Sequence, residues 1–246
     1  MTRWFRHAAT AFAAGVGSAA FAACLVVAPP AGAAIIEVGD TATDNAPSCP
    51  ASPCQAVSRT TGFQVRVGEE RDAFVIPQDG RIVAWTISLG TPDDQQREFF
   101  EENLGGPARA GITVLRTDER NFGRVVGRSG VRRLTPFFGT TAQFAIAETI
   151  PVKAGYRIAL TVPTWAPALA LGLGADSAWR AVRPDNDCTD TEGQAAQLTV
   201  GLLGRYRCVY RTARLTFSAT LVTRPVRPQP AEPPAPTPTP EPRRRF

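Results

Sequence analysis

The chain has 246 residues, 43% of them hydrophobic, and carries 27 Lys and Arg against 22 Asp and Glu for a net charge of +5. Seven of the basic and two of the acidic residues lie before position 34 or after position 223, which leaves 20 of each between those positions. A neutral body does not support a basic face that follows a phosphate backbone, and no nucleic-acid partner is expected.

The first segment runs from Arg3 and Arg6 through an apolar, Ala-rich stretch, Ala8 to Val27, to Pro29-Pro30 and Ala31-Gly32-Ala33. Positive, then apolar, then small residues is the layout of a secretory signal peptide, and residues 1–33 are expected to be one, cleaved after Ala33. A membrane association is expected only through an uncleaved signal. A lipoprotein alternative at Cys24 is disfavoured by bulky Phe21 before it and Leu25-Val26-Val27 after it. Export predicts an extracellular or cell-envelope location in oxidising surroundings.

Removal of residues 1–33 takes Cys24 and leaves four cysteines, and an even count in an exported chain predicts disulfides. Proximity pairs Cys49 with Cys54 and Cys188 with Cys208. The stretch CPASPC has four residues between its cysteines, no helix pattern after it and no paired CxxC knuckles, so it reads as a structural clip rather than a redox pair or zinc site.

Between positions 34 and 223 short alternating runs are separated by Gly, Pro, Asp and Asn, the pattern of an all-β, two-sheet β-sandwich. Runs at Gly62–Val67 and Ala73–Pro77 lead to a turn at Gln78-Asp79-Gly80. The next run, Arg81–Leu89, is predicted to place Val83, Trp85, Ile87 and Leu89 in the core. Pro92–Asn103 is the one helical stretch. Thr91 is its expected cap, Asp93 and Asp94 suit the positive end of its dipole, and Phe99 and Phe100 are expected to anchor it. Further strands are predicted at Ile112–Arg116, Gly123–Gly127, Ala142–Thr149, Tyr156–Val162, Ala168–Leu173, Ala195–Leu202, Arg205–Arg211 and Ala213–Val222. From Pro225 to Pro242 nine of 18 residues are proline, so residues 224–246 are expected to be an unfolded, polyproline-rich tail. Thr237 and Thr239 are candidate glycan acceptors there, and the closing arginines candidate contacts for anionic wall polymer.

Phe74 to Val83 resembles the strand–turn–strand entry of jelly-roll sandwiches, and Ile150 to Leu160 resembles their recurrent Val-x-Ala-Gly-Asp-x-Ile turn, with Tyr156 in place of Asp. More broadly, Ser48–Gln64, Ile82–Gly90 and Val162–Leu173 are similar to an uncharacterised group of exported proteins of high-GC bacteria. That resemblance implies the fold and the compartment and no activity.

Little catalytic chemistry is available. The only histidine, His7, lies in the expected signal, which removes Ser-His-Asp and Cys-His arrangements. The only lysine, Lys153, lies in a turn beside glycine and is expected to be solvated. A carboxylate pair is the remaining route, from Asp93, Asp94, Glu98, Glu101 and Glu102 or from PDNDCTDTEG. No residue is singled out as catalytic. For binding, Trp165 between prolines and Trp179 are candidate stacking platforms for a sugar ring, against a bland role as core lids. Asp185, Asp187 and Asp190 offer hard oxygens for calcium, against a bland role as a polar turn. The expected function is a non-catalytic secreted or envelope module that binds a surface ligand through loop residues, with polysaccharide as the candidate ligand. The alternatives are a structural or assembly protein that meets another envelope protein, and a carboxylate hydrolase.

Overall fold

The computed structural model describes residues 32–40 and 45–225. The expected signal, apart from its last two residues, and the proline-rich tail, apart from its first two, lie outside the described residues. In chain order the strands are β1 (Ile35–Val38), β2 (Val57–Arg66) and β3 (Gly80–Ser88), followed by the helix α1 (Asp94–Asn103). Then come β4 (Arg109–Thr117), β5 (Phe122–Arg128), β6 (Arg132–Arg133), β7 (Thr141–Val152), β8 (Arg157–Ala166) and β9 (Leu169–Ala170). The last five are β10 (Ala178–Ala181), β11 (Leu203–Arg205), β12 (Cys208–Arg211), β13 (Arg214–Leu215) and β14 (Phe217–Thr223).

One sheet has the order β1-β14-β3-β7 and the other the order β11-β5-β4-β8-β2-β10-β12, with β6 on β4 and a separate β13-β9 pair. The chain passes from β1 to β2 in the opposite sheet, back to β3, across to β4 and its hairpin partner β5, back to β7, across to β8 and home to β14. That alternation of sheets, with antiparallel neighbours throughout, is the winding of a jelly roll. The predicted all-β sandwich is the fold.

The core lies between the sheets, and its residues come from the inward faces of both. In β14 burial alternates strictly, with Phe217, Ala219 and Leu221 inward. In β3 the expected face is changed at one end. Ile82, not Val83, is buried with Trp85, Ile87 and Leu89. A register shift between Ile82 and Ala84 explains it: Val83 is an extra residue, a bulge that moves every earlier side chain to the other face.

Strands β2, β4 and β8 are buried on both faces, which one-sided alternation does not announce. Their outer face carries a second apolar cluster of Phe63, Leu115, Val125, Ala159, Val182 and Tyr206. The excursion between β10 and β12 covers it. Gln197 donates its amide to the Thr61 hydroxyl at 2.8 Å, Ala195 donates to the Arg59 carbonyl at 2.8 Å, and Tyr206 donates to the Asn121 carbonyl at 2.8 Å. Beneath it the Thr61, Thr161 and Thr113 hydroxyls form a buried ladder at 2.9 and 2.6 Å. The predicted strand Ala195–Leu202 is therefore irregular, with its backbone groups bonded to the sheet it covers. Ala73–Pro77 is likewise no strand, although Phe74 and Ile76 are buried and Val75 makes one bridge to Arg157.

Helix α1 starts later than predicted, and Asp93, not Thr91, caps it. The Asp93 carboxylate accepts from the Gln96 amide at 2.8 Å, and the Gln96 side chain accepts from the Asp93 amide at 3.0 Å, a reciprocal capping box. Of the two phenylalanines, Phe100 alone is buried against the sheet. Phe99 is 58% exposed, because consecutive helical residues point about 100° apart and one face alone meets the sheet.

Candidate functional site

The two expected disulfides, Cys49–Cys54 and Cys188–Cys208, are present. The first closes a ring in the β1–β2 connection, held to α1 by the Gln96 side-chain amide, which donates to the Pro50 carbonyl at 3.1 Å. The second ties the excursion to β12. Two disulfides fit an oxidising, extracytoplasmic compartment.

The sequence-selected tryptophans are not stacking platforms. Trp165 is fully buried, packed between Phe100 (centroids 4.9 Å) and Phe138 (5.6 Å), with its indole N–H donated to the Gly106 carbonyl at 2.9 Å. It plugs one end of the core. Trp179 is buried too, with its six-membered ring against β2 at Gly62. A β-carbon there would lie 2.7 Å from the indole and 2.9 Å from the Arg180 carbonyl, so only glycine admits the ring. Neither indole offers an open face: Phe100 and Phe138 flank Trp165, and Tyr210 and the β2 backbone at Gly62 flank Trp179.

The loop carboxylates do not assemble a calcium site. Among the described residues no group of three or more His, Cys, Asp or Glu converges. The reason is local: Asp187 accepts from the Thr189 amide (2.9 Å) and hydroxyl (2.7 Å), and Asp190 accepts from the Glu192 (3.1 Å) and Gly193 (2.6 Å) amides. These are turn-closing bonds of the kind Asp makes with its own backbone. The Thr189 hydroxyl, then its amide, hold the Asp187 carboxyl below the usual carboxylate range. The helix carboxylates have local roles as well: Asp93 caps α1, and Asp94 pairs with Arg97 at 2.9 Å.

What the fold does assemble is a groove of about 630 Å³ beside both staples. Pro53 from the first disulfide ring, Ala56 and Val57 at the start of β2, Leu169 and Leu171, and Val209 and Ala213 supply apolar wall. Its polar groups converge from β10 and β12. Tyr210 stacks on Trp179 at 4.5 Å and 26° between ring planes, as directly opposed residues in that strand pair. The Tyr210 hydroxyl donates to the Cys188 carbonyl at 3.0 Å and accepts from Arg183 Nε at 2.8 Å. Arg183 also donates from Nη1 to the Ser58 carbonyl at 2.8 Å, and its guanidinium carbon lies 5.6 Å from the centre of the Tyr210 ring.

The chain matches no protein-family model, no curated protein and no solved structure. The groove's chemistry is therefore read from its own side chains. Arg183 is only 5% exposed, yet no carboxylate pairs with it among the described residues. Arg211, exposed, adds a second cation, and no Asp or Glu lines the groove. The Trp179 indole N–H is buried without a partner among the described residues.

Sequence reasoning selected Trp179 and missed Arg183, Tyr210 and Arg211. An arginine in sequence reads as a solvated charge, and Arg183 is buried only because β2, β12 and the Cys188 loop close around it. The signal that was available is spacing. Arg183 follows Trp179 by four positions, just past a short run, and Tyr210 and Arg211 follow Cys208 of an expected disulfide.

Proposed function

We propose that this is an exported, non-catalytic jelly-roll module that binds an acidic surface polysaccharide in the groove between its two disulfides. The observation that carries the reading is the pair Arg183 and Arg211 in a partly apolar groove without a lining carboxylate. A buried guanidinium held only by neutral acceptors retains an uncompensated charge, and a ligand carboxylate or sulfate is its natural partner. The aliphatic walls suit the C–H face of a sugar ring, and the aromatic pair Trp179–Tyr210 fixes the position of the arginine.

The test is affinity electrophoresis of the exported chain in gels containing an acidic or a neutral polysaccharide. Acidic polymer is expected to retard the protein, and Arg211→Ala to reduce the retardation several-fold while leaving thermal unfolding unchanged, because Arg211 is exposed. Equal retardation by neutral polymer, or full retardation of Arg211→Ala, would refute the groove as the site. No retardation by any polymer would favour the assembly role.

A further inference from the structure

The groove lies by β12, one edge of the larger sheet; the other edge, β11, bears a different surface. The chain reaches β11 through a turn closed by the Leu202 amide on the Thr199 carbonyl (3.3 Å), with Gly201 at φ +90°, a conformation that favours glycine. This turn is pinned. Gly201 donates to the Val125 carbonyl at 2.8 Å, Val125 donates to the Leu202 carbonyl at 2.9 Å, and Arg124 Nη1 donates to the Gly201 carbonyl at 2.7 Å. Yet Val200, Leu202 and Leu203 are 57%, 43% and 51% exposed. Three large aliphatic side chains, at the start of the edge strand and in the turn before it, are thus held in water by a fixed backbone.

Cations stand beside them. Leu203 is opposite Arg124, and Arg124 opposite Arg116, so the three form one row across β11, β5 and β4. Arg205 is opposite Phe122, its guanidinium carbon 5.6 Å from that ring's centre. Directly opposed like charges repel, and no carboxylate pairs with Arg116 or Arg124 among the described residues. Asp118, its Oδ1 accepting from the Arg120 and Phe122 amides at 3.0 and 2.9 Å, is the one carboxylate lining the same hollow of about 520 Å³, against the two arginines Arg116 and Arg124.

We infer that this corner docks on the surface of an anionic lipid bilayer, with Val200, Leu202 and Leu203 entering below the headgroups and Arg116, Arg124 and Arg205 meeting the phosphates. Charge complementarity selects the occupant. An anionic bilayer presents negative charge and an apolar phase within about 5–10 Å of each other, the arrangement this corner mirrors. At three residues β11 is too short to template a partner's strand.

The experiment is co-sedimentation of the exported chain with vesicles of phosphatidylcholine alone or of an equal mixture with phosphatidylglycerol. Anionic vesicles are expected to bind at least about tenfold more protein, with the difference shrinking as salt is raised. Val200→Ser with Leu203→Ser should lower binding about tenfold, and Arg116→Gln with Arg124→Gln should lower it comparably. Unchanged binding by the first pair would overturn the inference by placing the contact in another segment, such as the arginine-rich end. So would equal binding to neutral vesicles, binding to neither, or a change of oligomeric state in the serine variant, which would assign the patch to a second copy. Should the serine variant fail to fold, the arginine pair decides alone.

Discussion

Replacing Trp165 by alanine distinguishes a core plug from a ligand platform more sharply than any binding assay. Trp165 has no exposed surface, touches Phe100 and Phe138, and donates its only polar hydrogen to the Gly106 carbonyl. Truncating a buried aromatic residue to alanine costs about 3–5 kcal/mol, from lost transfer energy and the cavity left behind. Gly106 is half-buried, so its carbonyl is able to recover a bond to water, and losing that hydrogen bond adds about 1 kcal/mol at most. The expected cost is therefore about 4 kcal/mol, a large share of the roughly 5–15 kcal/mol available to a domain. Trp165→Phe keeps most of the packing and loses only the N–H, for about 1–2 kcal/mol. Urea titration followed by far-ultraviolet dichroism should show both midpoints lowered with the slope unchanged, the alanine variant at least twice as far as the phenylalanine one. A Trp165→Ala loss below about 1 kcal/mol would refute the reasoning, because only an exposed indole is removed so cheaply.

Cys188→Ser with Cys208→Ser opens a loop of sequence separation 20 and should cost about 3 kcal/mol by loop entropy, measured as the difference in urea midpoint; a loss below about 1 kcal/mol would show that the excursion is ordered by its hydrogen bonds instead. Tyr206→Phe should stabilise the protein by about 1 kcal/mol, because the Tyr206 hydroxyl is buried without a partner among the described residues. Burial also pushes the Tyr206 phenol far above its ordinary range. The folded state then keeps a proton that the unfolded chain releases above about pH 10, so stability present below that pH falls as pH rises beyond it. Thermal unfolding between neutral and strongly alkaline pH should show that fall blunted in Tyr206→Phe, and equal slopes in both proteins would contradict the assignment. Asp93→Ala should cost about 1 kcal/mol by removing the reciprocal cap of α1, whereas Thr91→Ala should cost less; thermal melts of the two variants decide which residue is the cap.

The amino-acid sequence by itself determined the local and pairwise features: strands that alternate on one face, the helix between β3 and β4, and disulfides between cysteines close in the chain. Each depends on neighbours a few residues away, where periodicity and loop length are visible. The strictly alternating Phe217–Thr223 and the clip CPASPC are the clearest cases. Whatever depends on a distant segment was decided only by the tertiary structure. The bulge at Val83 exists because β14 and β7 pair with β3 out of simple register, and it exchanges Val83 for Ile82 in the core. The excursion after β10 buries the outer face of β2, β4 and β8, so alternation there no longer separates inside from outside. The candidate site divides the same way. Trp179 was legible as a large aromatic in a short run. Arg183 became a site residue only when Tyr210, some 27 positions later, accepted its Nε–H beneath the second staple.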